Sequence, residues 1–269
     1  MTMLSQETIQ SVAQRLDAAE KTRVQIRQIS LDNPEMSIED AYAIQREWIK
    51  LKLGAGQQIV GHKIGLTSRA MQQSSQITEP DYGTLMDRMV FKEGGDIPFE
   101  RFIAPRVEIE LAFILAKRLE GPKVSIFDVL KATDYITPAI EIIDQRCPQV
   151  DPETKRMRKV FDTISDNAAN AGIILGGKPV RPHDVDLRWV AGLCYKNGVI
   201  EETGVAAGVL NHPAHGIAWL ARKFAPHGVA LEPGQIILAG SFIRPVPAEP
   251  GDTFHTDYGP LGAIGFRFV

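Results

Sequence analysis

Cysteine is nearly absent from this chain: Cys147 and Cys194 are all that its 269 residues contain. One widely separated pair excludes a disulfide framework and reads as reduced thiols, which points to a cytoplasmic setting. Long apolar runs are missing too, so no transmembrane helix is expected. The N-terminal stretch lacks the apolar segment of a signal peptide, and the residues from Gln14 to Arg27 are dense in charge instead. There is no basic excess: 30 Lys+Arg face 33 Asp+Glu, for a net charge of −3. That balance excludes a nucleic-acid footprint. A small anionic substrate must then be held by local cations or a metal, because the global field is weakly repulsive. The six histidines show no metal-ligand spacing, and His212 and His215 flank a helix start and read as structural. Internal repeats and low-complexity tracts are also absent.

What is present divides in texture near residue 58. Ile9, Val12 and Leu16 recur at helical spacing, so Thr8 to Arg23 reads as an amphipathic surface helix. Ser37 and Asp40 form a variant capping box for a second helix through Lys52, ended by Gly54 and Gly56. Beyond Gly61, short apolar runs alternate with Gly, Pro and Asp. Strands are expected at 107–115, 137–143, 173–175 and 236–239, with one or two more over 254–269. Asn197-Gly198 carries a hairpin signal, and helices interrupt at 126–132 and 213–224. The expectation is an α+β protein: an N-terminal helical cap over residues 1–57 and a strand-rich catalytic domain over 58–269.

The sharpest chemical feature lies in Arg106-Val107-Glu108-Ile109-Glu110-Leu111. Side chains alternate along a strand, so Glu108 and Glu110 share one face and Val107, Ile109 and Leu111 the apolar other. Adjacent carboxylates repel unless a cation or shared proton lies between them. Glu141 stands in another apolar run, among Ile140, Ile142 and Ile143, where an unpaired carboxylate is costly. Three glutamates form an oxygen-only ligand set suited to Mg²⁺ or Mn²⁺. A Glu-x-Glu pair also occurs on ordinary solvated strand edges.

Other segments leave two readings each. Lys63, between Gly61 and Gly65, either approaches a ligand closely or sits exposed in a turn. Asp81, in Glu79-Pro80-Asp81-Tyr82-Gly83, is a base or a turn-capping side chain, and the local sequence favours the turn. Lys159-Val160-Phe161-Asp162-Thr163 followed by Ser165-Asp166-Asn167 suits polar ligand contact or a helix entry with a capped turn. Gly240-Ser241 suits a carboxylate-binding turn or a plain β-turn.

Taken in order, GHKIGLTS, EPDYG, PRVEIELAF, PAIEIID, SDNAANAGIILG, NGVIEETG, AGSFIRP and GDTFHTDYG resemble the hydratase/decarboxylase branch of the fumarylacetoacetate hydrolase superfamily. The resemblance runs from about residue 37 to the C-terminus, and within the branch it is strongest to hydratases of a seven-carbon dioic acid, there including residues 26–52. It implies a rolled β core under a helical cap, assembled as a large homo-oligomer, a pentamer-based decamer. It implies Glu108, Glu110 and Glu141 as ligands of Mg²⁺ or Mn²⁺; the superfamily's hydrolases usually carry Asp at the third position, its hydratases and decarboxylases Glu. It implies Lys63 and Asp81 as acid/base residues. Leu66, Thr67, Arg69, Lys159, Asn167 and Ser241 are then the substrate-contact candidates.

The expected ligand is a small 2-oxo/2-hydroxy-dienoate dioic acid, with no nucleic-acid or membrane partner. The implied reaction is metal-dependent hydration; decarboxylation of a 2-oxo-3-enedioate and hydration of a five-carbon dienoate are the neighbouring alternatives. A non-catalytic partner subunit is disfavoured by the intact Glu108, Glu110, Glu141 and Lys63. For the distal carboxylate of a dioic acid, proximity of motif ranks Arg69 first, then Lys159, then Arg244.

Overall fold

A computed structural model describes residues 3–269, so Met1 and Thr2 of the expected cap lie outside the described residues. Three helices come first: α1 (Gln6–Thr22), α2 (Ile29–Asp32) and α3 (Ile38–Gly54). Ser5 caps α1 by accepting from the Thr8 amide, which starts the helix two residues before the apolar spacing does. The capping box of Ser37 and Asp40 forms as expected, and Asp40 also accepts from the Met3 and Leu4 amides.

Strands then dominate. The chain continues through β1 (Ile59–Gly65), α4 (Arg69–Ser74), β2 (Asp81–Met86), β3 (Val90–Phe91), β4 (Asp96–Ile97), β5 (Arg106–Leu115), α5 (Ile126–Ala132) and β6 (Thr133–Ile143). It closes with α6 (Val160–Ser165), β7 (Asn170–Leu175), β8 (Ala191–Lys196), β9 (Val199–Val205), α7 (Ala214–Phe224), β10 (Ile236–Leu238), β11 (Val246–Pro247), β12 (Thr253–Asp257) and β13 (Ala263–Phe268). Two curled sheets result, in the α+β class expected. One has eight strands in the order β2-β1-β10-β5-β6-β7-β3, with β11 beside β5; the other has five, β4-β13-β12-β8-β9. Asn197 (φ 52°) and Gly198 (φ 80°) close the β8–β9 hairpin with the left-handed conformations of its turn type.

Leu16, Ile44 and Trp48 from the helices belong to the same buried apolar cluster as Ile109 and Ile140 of the sheet. We propose that the described residues of the expected 1–57 cap are welded to residues 58–269 through this continuous core. Among the described residues, no helix is long and apolar enough to cross a membrane.

Two local expectations change. The segment around Lys63 is not a turn: it is β1, held between β2 and β10. Nor is Asp81 a turn residue; it is the first residue of β2, all six of whose residues are buried. Pairing with β1 overrides the turn chemistry of Pro80, Asp81 and Gly83, as tertiary context commonly overrides weak strand propensity.

Candidate active site

Register on the eight-stranded sheet assembles the carboxylates. Glu108 on β5 is the direct cross-strand neighbour of Glu141 on β6, and Glu110 lies on the same face of β5 two residues along. Like charges directly opposite destabilise a sheet. Here the three glutamates offer oxygens that all lie within 4.8 Å of one another. Burial, then Glu141, pushes the Glu108 carboxyl up to about 8. Burial likewise drives Glu110 well above the ordinary carboxylate range, with Glu141 and Glu108 adding to it.

Two of the three glutamates are oriented by a neighbour. The Gly240 amide donates to Glu110 Oε2 at 2.8 Å. Asn170 Nδ2 donates to Glu141 Oε1 at 2.8 Å, and Lys63 Nζ lies 3.2 Å from that same oxygen. The short strand β10 ends at Leu238, level with Lys63, so Gly240 reaches Glu110 and the lysine reaches over to β6. Glu141 Oε2 is sealed from solvent and has no hydrogen-bond partner. Buried polar atoms are almost always satisfied. A solvent-sealed carboxylate oxygen facing two further carboxylates is the donor set that Mg²⁺ or Mn²⁺ fits.

Lys63 and Asp81 stand beside this face. Burial alone would lower the Lys63 ammonium, but Glu141, Asp81, Glu108 and Glu110 outweigh it and hold the group above the ordinary lysine value. Burial raises Asp81, Lys63 pulls it back, Glu141 pushes it up again, and Arg158 lowers it. Asp81 Oδ1 is buried without a hydrogen-bond partner. Gly65 makes the juxtaposition possible. It pairs directly with Asp81, and a Cβ on it would sit 2.2 Å from Asp81 Oδ1 and 3.3 Å from Lys63 Nζ.

A cavity of about 1020 Å³ opens over these groups. Lys63, Leu66, Thr67, Asp81, Glu108, Glu110, Lys159 and Ser241 all line it, whereas Glu141 lies behind the wall, fully buried. Thr67 packs against Gly240, where φ is 121° and any side chain would collide with the threonine at 2.4 Å. Ser241 Oγ is folded onto its own turn, donating to the Ile243 carbonyl at 3.0 Å.

Two substrate-contact candidates lie off the cavity lining. Arg69 is exposed and does not line the cavity, because it opens α4 on the solvent side. Asn167 is fully buried with its amide committed to Thr84: Oδ1 accepts from the Thr84 amide at 2.7 Å and Nδ2 donates to its carbonyl at 2.9 Å. Asn167 therefore acts as a clamp between β2 and the segment before β7. That segment carries three successive left-handed residues, Asn167, Ala168 and Ala169 (φ 53°, 50° and 62°), a costly conformation at the cavity wall.

Three groups carried no expectation from the sequence: Asn170 on Glu141, and Arg106 and Arg158 on the cavity wall. Arg106 carried a usable signal, since it continues the alternation of Glu108 and Glu110 onto the same face.

No family profile matches the chain. It is 67% identical over 267 residues to a 2-oxo-hept-4-ene-1,7-dioate hydratase of Escherichia coli, spanning 99% of this chain and all of that one. Among solved structures, a 4-oxalocrotonate decarboxylase from Pseudomonas putida G7, complexed with magnesium and adipate, superposes with a TM-score of 0.94 at 33% identity over the whole of both chains. A fumarylacetoacetate hydrolase family protein of Yersinia pestis shares the fold alone, with a TM-score of 0.55 at 16% identity over 77% of this chain and 92% of that one. Carboxylate face, cavity and full-length likeness agree: the chain belongs to the family of 2-oxo-hept-4-ene-1,7-dioate hydratases and 4-oxalocrotonate decarboxylases.

Proposed function

We propose that this protein is a divalent-metal-dependent hydratase that converts 2-oxohept-4-ene-1,7-dioate, or its 2-hydroxy-2,4-diene form, to 4-hydroxy-2-oxoheptane-1,7-dioate. The observation that carries this reading is the buried face of Glu108, Glu110 and Glu141 beside Lys63 and Asp81, at one end of a cavity large enough for such an acid. The full-length likeness to the Escherichia coli hydratase supports the choice of acid.

Glu108, Glu110 and Glu141 would hold Mg²⁺ or Mn²⁺. When bound, the ion supplies Lewis acidity that favours negative charge on the 2-oxo oxygen. The rest falls to the chain. Lys63 remains an ammonium and adds positive charge beside that oxygen. Asp81, whose affinity for a proton is raised by burial, takes and returns protons along the carbon chain. Loss of the 2-hydroxyl proton and delivery of a proton to C5 convert the dienol to the conjugated 2-oxo-3-enoate. Removal of a proton from water lets its oxygen bond to C4, and C3 receives a proton. The balance is one water added. Thr67 and the turn at Ser241 line the wall that receives the 2-oxo-acid head.

Decarboxylation of a 2-oxo-3-enedioate is the second reading, supported by the whole-chain superposition on 4-oxalocrotonate decarboxylase. Incubation of the Mg²⁺-loaded protein with each acid separates them. Hydration gives the 4-hydroxy-2-oxo acid without CO₂; CO₂ release from the 2-oxo-3-enedioate at the faster rate overturns the hydratase reading. Two buried free thiols, Cys147 and Cys194, support a reducing, cytoplasmic setting. The exposed apolar side chains of Trp189, Val199 and Ile200 support a homo-oligomer, for which a decamer is the expected size.

A further inference from the structure

A dioic acid held by its oxo-acid end at the carboxylate face leaves a second carboxylate to be received elsewhere in the cavity. Four cations other than Lys63 line that cavity: Arg106, Arg158, Lys159 and Arg244. Arg244 is 84% exposed and already paired with Glu202 at 2.6 Å. Lys159 is exposed and marks the start of α6, where its backbone amide donates to Asp162. Arg106 sits on the metal face itself, where its charge acts on Glu108.

Arg158 differs from all three. Its side chain is only 8% exposed although it lines the cavity. Its nearest carboxylate oxygen, Asp166 Oδ2, is 3.9 Å from Nη1, too far for a hydrogen bond. Asp166 is already engaged by another buried guanidinium: Arg146 Nε donates to Oδ1 at 2.5 Å and the Arg146 amide to Oδ2 at 2.9 Å. Arg146 in turn spends Nη2 on the Asp166 and Asn170 carbonyls. Two buried guanidinium groups thus share one carboxylate, and the less engaged of them, Arg158, lines the cavity. Arg158 Nη1 is shielded from solvent and has no hydrogen-bond partner at all. A buried charge left in that state is costly unless an anion completes it.

We propose that Arg158 receives the distal carboxylate of the substrate and so sets the preference for a dioic over a mono-carboxylic acid. The inference rests on the dioate reading above and names the residue that enforces it. A planar guanidinium offers two parallel N–H donors to one carboxylate, which matches a terminal carboxylate better than a lysine does. Ion pairing with Asp166 holds the guanidinium in the cavity wall without engaging it in a hydrogen bond.

The test uses Arg158→Gln and Arg158→Lys in the full-length, metal-loaded protein. In turnover, Arg158→Gln is expected to lower kcat/KM for the seven-carbon dioate at least about 100-fold more than for a five-carbon mono-acid, mainly through KM. Arg158→Lys, which keeps the charge, recovers part of that difference. In calorimetry without turnover, the wild type binds adipate more tightly than hexanoate, and Arg158→Gln loses that discrimination. A purely structural role predicts equal losses for both acids together with a lowered Tm. The proposal is overturned if Arg158→Gln, folded as judged by its Tm, keeps the wild-type dioate-to-mono-acid ratio within about threefold and the adipate preference is unchanged. If the wild type discriminates adipate from hexanoate through Arg158 yet hydrates no dienoate, the hydratase reading fails while the anion site stands.

Discussion

Gly65 is where one methyl group tests the acid/base geometry. An added Cβ would lie 2.2 Å from Asp81 Oδ1, so Gly65→Ala must push the carboxylate away from Lys63 while leaving the apolar side of β1 intact. We expect Gly65→Ala and Asp81→Asn to converge: each lowers kcat by about 10²–10⁴-fold with a small change in KM, since general acid–base groups act in the transition state. Steady-state kinetics on both variants checks this, and near-native kcat in either would remove Asp81 from the chemistry. At this scale the sequence was legible where chemistry contradicted surroundings. Glu141 amid isoleucines and the alternating Glu108 and Glu110 stand out because carboxylates in apolar runs need a reason. Arg158 did not stand out, because its burial depends on Asp166 and Arg146, which the local sequence does not reveal as its neighbours.

The element of interest is the β5–β6 pair, which sets Glu108 opposite Glu141. In metal-free protein this pair opposes folding, and the sign with pH follows from Glu108. Its carboxyl is raised from 4.5 to about 8 in the folded state. A raised folded value means full stability below about 4.5, lost progressively as pH rises through about 8. Glu108→Gln removes that loss. The metal-free variant is expected to exceed wild type in Tm by a margin that grows between these two pH values, and to lose the Tm gain that Mn²⁺ gives wild type. Thermal melts of both proteins with and without Mn²⁺ measure this; a variant that melts lower than wild type across the range contradicts it. Strands β5 and β6 were readable from alternation and apolar runs, as were the capping box of α3 and the Asn-Gly hairpin. β1 and β2 were not, because their glycines, Pro80 and Asp81 carry turn propensities that only long-range pairing overrides.

Across the whole molecule, helices and sheets share one core. Trp48 of α3 is fully buried, with the Lys52 ammonium 4.6 Å and the Arg146 guanidinium 5.2 Å from its ring, so it ties the helical segment to the loop after β6. Trp48→Ala should cost about 3–5 kcal/mol, the usual figure for a large aromatic deleted from a core. Denaturant unfolding followed by far-UV circular dichroism and by tryptophan fluorescence should give coincident, single transitions. Separate transitions would mean that residues 1–57 fold apart from the rest. The change of texture near residue 58 was visible in the sequence, but the strand order was not. Strand β10, far along the chain, inserts between β1 and β5, and no local signal announces a pairing of that range.

The central claim, that Glu108, Glu110 and Glu141 hold the divalent ion on which hydration depends, is tested most directly by chelation and add-back. Protein stripped with EDTA and dialysed is given 2-hydroxyhepta-2,4-diene-1,7-dioate, and loss of the dienol absorbance is followed. We expect no turnover until Mg²⁺ or Mn²⁺ is restored, and no restoration in Glu141→Gln, whose buried Oε2 position would no longer carry the charge an ion needs. Full hydration by the stripped wild type, or metal-restored activity in Glu141→Gln equal to wild type, would contradict the account.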